Sequence, residues 1–186
     1  MPCSPPTPFC SRIADSDASV LRSILTTESE SFPRDWQFPD TAKYFQSLMV
    51  KPENCFICCY AGSAIVGHLV LVPLRSVKCE LSKSDPQILA LPDTAYYIET
   101  LAVRKRWRRR GVASSMLIEA TGEVGKRHGQ LLGMHARVSN GLNRLALHLF
   151  KGSIVVNYKI DRWPWTGNEE SNFLAWTPPN RSSETT

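Results

Sequence analysis

Three side chains in two neighbouring segments have the types and spacing needed to move a proton. Tyr97 and Glu99 are two residues apart in a β-rich run, so both lie on the same side of a strand. His135 lies in the next apolar run, and a neutral imidazole is a suitable base near pH 7. On adjacent strands, the Tyr97 hydroxyl and the His135 imidazole can hold one water between them and act as a general base. The structural alternative is a hydrogen-bonded core histidine and a packed tyrosine.

A strongly basic turn follows the first of these runs. Six of the seven residues from 104 to 110 are basic, whereas the rest of the chain carries 16 basic and 17 acidic side chains. Gly111 opens the next helix, and the N–H groups and dipole of a helix N-terminus attract a pyrophosphate. Small residues at Gly111 and Ala113 let an anion approach the backbone. The turn therefore predicts a phosphate site; the alternatives are a solvated basic loop and a nuclear-import or nucleic-acid patch.

These candidates must be positioned by strands and helices in alternation. The sequence predicts strands at 9–13, 55–60, 64–72, 95–103, 131–138, 154–162 and 171–176. It predicts helices that begin after Asp15 or Asp17 and after Asp40, and two more at 111–128 and 142–151. The polar, proline-bearing residues 76–94 predict a long functional loop. This order indicates an α/β (α+β) fold: a mixed, mostly antiparallel sheet of about seven strands, flanked by helices, with a central βαβ unit.

The basic turn also resembles a known cofactor motif. The Arg-x-x-Gly-x-Ala motif at 108–113, after Leu101-Ala102-Val103, is similar to the acetyl-CoA signature of the GCN5-related N-acetyltransferase (GNAT) superfamily. This resemblance, which covers nearly the whole domain, implies the GNAT fold and acetyl-CoA as the cofactor. It implies that the strand backbone contacts the pantetheine arm and that the turn cradles the pyrophosphate. The implied cofactor-binding residues are Leu101, Ala102, Val103, Arg108, Arg109, Arg110, Gly111, Val112, Ala113 and Ser114, with Asn140 and Asn143 as candidates for a side chain on the pantetheine.

Further motifs resemble the catalytic subunits of protein N-terminal acetyltransferases. The run 97–101 is similar to their Tyr-Ile-x-Thr-Leu strand, and 134–140 to their Leu-His-Val-x-x-Ser-Asn strand. The resemblance implies that Tyr97 and His135 hold a water that activates the amine. Phe32-Pro33-Arg34-Asp35-Trp36 is similar to the loop that those enzymes place over the substrate's first residues. The implied substrate-binding residues are Phe32, Pro33, Trp36, Trp163 and Trp165; the alternative for the four aromatic residues is a position in the core.

Two features depart from that subfamily. Polyamine and aminoglycoside acetyltransferases carry a Tyr-Leu-Glu strand similar to 97–99, so Glu99 is a candidate base, an amine anchor or a partner of the basic turn. Phe150 stands where many relatives have a tyrosine that can protonate the leaving thiolate. A thiolate of moderate basicity can leave into water, so activity is still expected.

The sequence predicts one domain, 9–177, between disordered tails at 1–8 and 178–186. The uncharged stretch 54–74 is interrupted by glycines and a proline, which indicates two strands and not a membrane-spanning helix.

The cysteines and histidines receive mostly structural interpretations. Cys55, Cys58 and Cys59 lie in an apolar run without a second ligand pair, which predicts buried thiols and no metal site. Cysteine usage and the start of the chain predict a cytoplasmic protein without a signal peptide. The histidines outside the candidate site are His68, His128 and His148, for which we expect structural roles.

The sequence thus predicts an acetyl-CoA-dependent N-acetyltransferase that acts on a primary amine, with the α-amino group of protein N-termini as the leading acceptor. One alternative is a small-molecule amine acetyltransferase for an arylalkylamine, a polyamine or an aminoglycoside. The other is a catalytically silent acetyl-CoA-binding subunit. An auxiliary subunit is a candidate partner, whereas a metal, a membrane and a nucleic acid are not expected.

Overall fold

A computed structural model describes residues 9–13, 17–32, 40–163 and 169–179. The predicted tail at 1–8 and most of the one at 178–186 lie outside these residues, so the domain limits stay predictions.

Within the described residues, seven strands and five α-helices follow the predicted order, with α3 as an additional helix. The strands are β1 (Phe9–Ile13), β2 (Cys55–Ala61), β3 (Ala64–Pro73), β4 (Tyr96–Val103), β5 (Leu132–Arg137), β6 (Ile154–Trp163) and β7 (Glu169–Trp176). The helices are α1 (Ala18–Ser31), α2 (Thr41–Met49), α3 (Lys78–Leu81), α4 (Val112–Lys126) and α5 (Leu142–Leu149). The uncharged stretch 54–74 forms β2 and β3, as predicted. In the described part of the chain, no helix is long and apolar enough to cross a membrane.

The strands are hydrogen-bonded in the order β1-β2-β3-β4-β5-β7-β6. Strands β4 and β5 pair in parallel, with Tyr97 opposite Gly133, and α4 connects them as the βαβ unit. Pairing is antiparallel for β1 with β2, β5 with β7, and β6 with β7. The predicted fold class, a mixed and mostly antiparallel sheet flanked by helices, is therefore confirmed.

Two aspartates begin the first two helices, as the sequence predicts. The carboxylate of Asp17 accepts from the N–H of Ser19 at 2.7 Å, and that of Asp40 accepts from the N–H of Lys43 at 3.1 Å. Side-chain acceptors at this position satisfy N–H groups that have no partner within the helix.

The prediction of a long loop at 76–94 is wrong. The segment contains α3 and the 3₁₀ turn Pro86–Ala90, and another 3₁₀ turn, Leu74–Ser76, ends at its first residue. Leu81 and Ile88 are buried and anchor these turns. The second turn begins at Pro86, and the Asp85 side chain accepts from the N–H of Gln87. Because such short turns have no helical periodicity, the polar composition of the segment concealed them.

The chain packs as two compact units. The first comprises residues 1–70 and 100–116, and the second comprises 71–99 and 117–186. Ile24, Phe45 and Leu69 are fully buried in the first unit, and Phe173 and Trp176 in the second. The Trp176 indole donates to the Thr121 hydroxyl at 2.9 Å, which satisfies the polar atom of this fully buried side chain.

Candidate active site

Tyr97 and His135 are brought together in the second unit by the pairing of β4 with β5. Because Tyr97 lies opposite Gly133, His135 is two residues further along the neighbouring strand and on the same face. The Tyr97 Oη and the His135 Nδ1 are 2.9 Å apart, and the ring centroids are 5.7 Å apart. The two groups are hydrogen-bonded directly, so the prediction that they hold a water between them is wrong. The register brings the rings too close for an intervening molecule.

A carboxylate that the sequence did not indicate completes this cluster. Asp85 Oδ2 lies 3.1 Å from His135 Nε2 and accepts from the Tyr158 hydroxyl at 2.5 Å. The other oxygen of Asp85 accepts from the N–H of Gln87 at 3.2 Å. The only sequence signal for Asp85 is its place before Pro86, which is typical of a helix start and not of a catalytic residue. Tyr158 carried no signal beyond its strand position.

Aromatic rings fix the plane of the His135 imidazole. The Trp163 indole stacks on it at a centroid distance of 3.6 Å and an angle of 9°, and Phe173 contacts it at 4.9 Å. Trp163 is 2% exposed. The resemblance implies a substrate-binding role for Trp163, and its contact with an acceptor stays a prediction; in this structure the side chain packs on the imidazole.

Burial and hydrogen bonding set the charge states in the cluster. Burial would raise the pKa of Asp85, but the hydrogen bonds from His135 and Tyr158 outweigh it and leave that pKa below its ordinary value. Burial lowers the pKa of His135, with Asp85 opposing the decrease. Burial and the charge of Glu99 raise the pKa of Tyr97 well above its ordinary value. Near pH 7 the cluster therefore contains a carboxylate, a neutral imidazole and a protonated phenol.

Glu99 is half-buried two residues from Tyr97 on β4, and its charge acts on the Tyr97 hydroxyl. This proximity agrees with the expectation that the two side chains share a face. It does not distinguish between a base, an amine anchor and a partner of the basic turn.

The predicted phosphate turn in the first unit has backbone geometry suited to an anion. Arg109 and Gly111 have φ values of 59° and 83°, in the left-handed region. The N–H of Ser115 donates to the carbonyl of Gly111 at 2.9 Å, so the N–H groups of Val112, Ala113 and Ser114 precede the first bond of α4. Among the described residues, a Cβ at Gly111 would meet no atom within 4 Å. The space above the turn is open, and these residues fit a pyrophosphate.

The side chain of Arg108 is used differently from the prediction. Its guanidinium donates to the carbonyl oxygens of Val103 at 3.2 Å and Ser31 at 3.1 Å. The Val103 carbonyl also accepts from the Ser31 hydroxyl at 3.1 Å. This carbonyl is therefore occupied by two side chains and is not offered to a pantetheine arm. Arg109 and Arg110 are exposed, and Arg110 lies over the Trp107 ring at 5.3 Å.

The other predicted cofactor and substrate residues are only partly described. Asn140 is exposed and its side chain accepts from the N–H of Leu142 at 2.9 Å, whereas Asn143 is buried and donates to Asn172 at 3.4 Å. Phe32 is half-buried directly after α1. Pro33, Trp36 and Trp165 lie outside the described residues.

The remaining aromatic and histidine side chains have structural surroundings. Phe150 stacks on Trp176 at 4.6 Å and an angle of 8°. The Nε2 of His68 lies 2.8 Å from Glu28 Oε1, and both residues are buried. His128 and His148 are exposed. Cys55, Cys58 and Cys59 are buried in β2. Within the described residues, no cluster of His, Cys, Asp and Glu is arranged to hold a metal ion.

Sequence comparison identifies the family to which this chain belongs. The model of the acetyltransferase (GNAT) family matches residues 21–152, more than half of the chain, and the chain belongs to this family. It is an N-acetyltransferase that uses acetyl-CoA. No curated protein matches the sequence significantly.

Solved structures share the fold at low sequence identity. The ribosomal-protein-S18-alanine N-acetyltransferase of Escherichia coli matches with a TM-score of 0.60 and 14% identity, over 96% of this chain and 99% of that one. An aminoglycoside 6′-N-acetyltransferase complexed with coenzyme A matches with a TM-score of 0.66 and 11% identity, over 94% of this chain and 99% of that one. A chimeric spermidine N-acetyltransferase, derived in part from Vibrio cholerae, matches with a TM-score of 0.63 and 10% identity, over 91% of this chain and 95% of that one. These similarities establish the fold, whereas the acceptor must be argued from the residues.

Proposed function

We propose that this enzyme transfers the acetyl group of acetyl-CoA to the α-amino group of polypeptide N-termini. The observation that carries the proposal is the 2.9 Å hydrogen bond between Tyr97 and the buried, neutral imidazole of His135. An amine attacks a thioester only through a free lone pair, so the ammonium form must first lose a proton. Tyr97 and His135 are the groups that we expect to receive it.

Acetyl-CoA supplies an activated acyl carbon in its thioester. The amine nitrogen forms a bond to this carbon as the bond from carbon to sulfur breaks, and sulfur leaves with the electron pair. The nitrogen of a protonated amine loses two protons overall, one of which ends on sulfur and the other in solvent. Phe150 has no proton to donate, so we expect water to protonate the thiolate.

The basicity of the proposed base favours an α-amine over an alkylamine. An α-amino group has a pKa of about 7.7–8.0, whereas a lysine-like primary amine has one of about 10.4. The pKa of His135 lies below its ordinary value. Proton transfer to this imidazole is therefore less unfavourable from an α-amine, by about 3 kcal/mol for a difference of about 2.5 pKa units. The resemblance of the Tyr97 and His135 strands to those of N-terminal acetyltransferases supports the same acceptor.

We assign the cofactor to the strand and turn that the family motif marks. The N–H groups of Val112, Ala113 and Ser114 would meet the pyrophosphate, and the exposed Arg109 and Arg110 would neutralise it. The backbone of Leu101 and Ala102 would contact the pantetheine arm, with Asn140 or Asn143 as a further contact. Phe32, Pro33, Trp36 and Trp165 would receive the first residues of the acceptor. The cysteine usage supports a cytoplasmic enzyme.

A second candidate function is acetylation of a small amine, which the position of Glu99 favours. Its carboxylate acts on the Tyr97 hydroxyl, and a carboxylate beside the reacting group attracts an ammonium. Glu99 would then anchor a polyamine or an aminoglycoside.

Release of free CoA thiol tests the two functions together. The acceptors would be peptides with varied first residues, each with a free or a blocked N-terminus, and spermidine, an arylalkylamine and an aminoglycoside. Turnover only on free peptide N-termini is the expected result. Turnover only on a small amine would contradict it in favour of Glu99. Tight acetyl-CoA binding without any turnover would indicate a silent module or a missing partner subunit.

A further inference from the structure

The Asp85 carboxylate lies at the buried end of a chain of hydrogen bonds. It is 3% exposed, although carboxylates are almost never buried unless they are paired. The His135 ring, the Tyr158 hydroxyl and the Gln87 N–H all contact it. The chain runs from Asp85 through His135 to Tyr97. Asp85 belongs to none of the motifs that the family resemblance covers.

Hydrogen-bond chemistry allows only one arrangement of protons along this chain. An ionised carboxylate accepts and never donates, so the nitrogen that faces Asp85, Nε2, must carry the imidazole proton. A neutral imidazole has one N–H, which leaves Nδ1 as an acceptor. The Tyr97 hydroxyl must therefore donate to Nδ1. The Tyr97 oxygen also faces the main-chain N–H of His135, and we assign its remaining lone pair to the ammonium group of the acceptor.

We propose that Asp85 is a positioning residue that holds His135 in the tautomer protonated at Nε2, so that Nδ1 is the atom that receives the proton by way of Tyr97. This inference rests on the proposed function for its catalytic part, and on the hydrogen-bond geometry and charge states of Asp85 and His135 for the tautomer.

The proton path that follows is balanced at each atom. The acceptor's ammonium gives a proton to the Tyr97 oxygen as the Tyr97 hydroxyl gives its own proton to Nδ1. His135 becomes an imidazolium with N–H groups on both nitrogens, and its charge faces the carboxylate. Tyr97 ends with the same number of protons as it had at the start. Because the pKa of Tyr97 is raised well above its ordinary value, Tyr97 cannot hold a negative charge near pH 7 and needs His135 as the base.

The surroundings of His135 prevent it from acting on the amine by itself. Its side chain is 1% exposed, and the stacked Trp163 covers one face of the ring. With both nitrogens bonded and one face stacked, the ring cannot exchange its two nitrogens without breaking both hydrogen bonds. The Asp85 carboxylate thus sets the tautomer, and Trp163 sets the plane of the ring.

The tautomer can be measured in the wild-type protein without acceptor or cofactor. Long-range proton–nitrogen NMR spectra separate a protonated from a bare ring nitrogen, and His135→Gln identifies the His135 signals among those of the four histidines. We expect a bare Nδ1 and a protonated Nε2 near pH 7. The opposite tautomer would overturn the proposal, whether or not the enzyme acetylates peptides.

The Asp85→Asn variant tests the catalytic part. An amide can donate as well as accept, so we expect the tautomer protonated at Nδ1 to become populated. With a peptide acceptor, kcat should fall about tenfold or more while KM changes less than about twofold.

The charged and titratable groups around His135 are Asp85, Tyr97, Tyr158 and, through Tyr97, Glu99. Since the Asp85 charge raises the pKa of His135, its loss should also move the acidic limb of kcat/KM to lower pH.

Asp93→Asn is the matched control. Asp93 lies in the same segment, is exposed and pairs with Lys78, so its loss should change neither the tautomer, kcat nor the acidic limb. The proposal would be overturned if Asp85→Asn kept the wild-type kcat and the acidic limb of its kcat/KM profile stayed at the wild-type pH. A lower kcat in Asp85→Asn with an unchanged His135 tautomer and an unchanged acidic limb would also overturn it, because that pattern indicates a purely structural role. If the wild type acetylates only a small amine, the proposed acceptor fails, while the same comparison on that amine still tests Asp85.

Discussion

The guanidinium of Arg108 donates to the main-chain carbonyl of Ser31, the last residue of α1, at 3.1 Å. The same side chain also donates to Val103 at the end of β4. Both bonds lie within the first unit, where they tie the proposed phosphate turn to the end of α1. All three arginines are exposed, but Arg108 uses its guanidinium to hold the turn, whereas Arg109 and Arg110 are the cations that we assign to the cofactor.

This arrangement predicts different effects for neighbouring arginines. Arg108→Ala should lower the free energy of unfolding by about 1 kcal/mol, because it removes two hydrogen bonds of an exposed side chain. Arg109→Ala should leave stability nearly unchanged and weaken acetyl-CoA binding, more strongly at low salt. Denaturant titration and calorimetric binding measure the two effects. A loss of acetyl-CoA affinity in Arg108→Ala that exceeds the loss in Arg109→Ala, at unchanged stability, would contradict this division of roles.

Gly111 gives a second prediction, which separates backbone strain from charge. Gly111→Ala places a Cβ in open space but at a φ of 83°, so it should cost about 1–2 kcal/mol of stability and leave measurable acetyl-CoA binding. Gly111→Asp adds a negative charge where a pyrophosphate would sit and should abolish binding. Gly122→Ala is the control, since it lies within α4 with open space and no positive φ. Equal acetyl-CoA affinity in the alanine and aspartate variants would argue against phosphate binding at this turn.

The fold was predictable because its signals are local. Asp17 and Asp40 mark helix starts, apolar runs mark the strands, and the turn before α4 carries a motif; all of these are short-range patterns. Tyr97 and His135 were also identified, since each lies in a recognisable strand. Their direct contact depends on the register of β4 with β5, which the sequence does not encode locally.

The site residues that the sequence missed have partners far away along the chain. Asp85 contacts His135, 50 residues later, and Tyr158, 73 residues later. No periodicity or motif connects these positions, and the composition around Asp85 indicated a loop. The same reason explains Glu28 and His68, which are 40 residues apart and were not recognised as a pair. These missed residues share one property, a buried polar side chain, and burial is visible only in the folded chain.

The Glu28 carboxylate provides a stability prediction. Glu28 Oε1 is within hydrogen-bond distance of His68 Nε2 at 2.8 Å and accepts from the Thr100 hydroxyl at 3.0 Å. Glu28→Ala would remove the acceptor for two groups, one of them on a fully buried ring, and should cost about 2–4 kcal/mol. Glu28→Gln keeps a side-chain oxygen and should cost less. The exposed Glu30, on the same helix, gives the matched control in Glu30→Ala. A similar denaturation midpoint for the variants at both positions would show that the buried pair contributes nothing.

The pH dependence of kcat/KM follows from the direction of the pKa shifts. Activity needs the neutral imidazole, which is lost as the pH falls through the pKa of His135. Burial lowers that pKa, so the decrease in kcat/KM caused by protonation of the enzyme should lie below about pH 6.5. A separate change in kcat/KM at about pH 7.8 should come from the α-amino group of the peptide. The raised pKa of Tyr97 predicts no loss of activity on the alkaline side up to about pH 10. An enzyme limb above pH 7 that disappears in His135→Gln would contradict the assignment.

Tyr97 and His135 should act as one unit, which a double-mutant cycle can detect. Tyr97→Phe removes the hydroxyl that we propose meets the amine, and His135→Ala removes the proposed base behind it, so each should lower kcat by about 10²–10⁴. Neither should change acetyl-CoA affinity much, because the proposed pyrophosphate contacts lie in the turn at 108–114. Once either residue is lost the relay is broken, so the double variant should be no slower than the slower single variant. Additive losses would mean that the two side chains contribute separately, and wild-type turnover in both single variants would remove them from the mechanism and leave Glu99 as the candidate base.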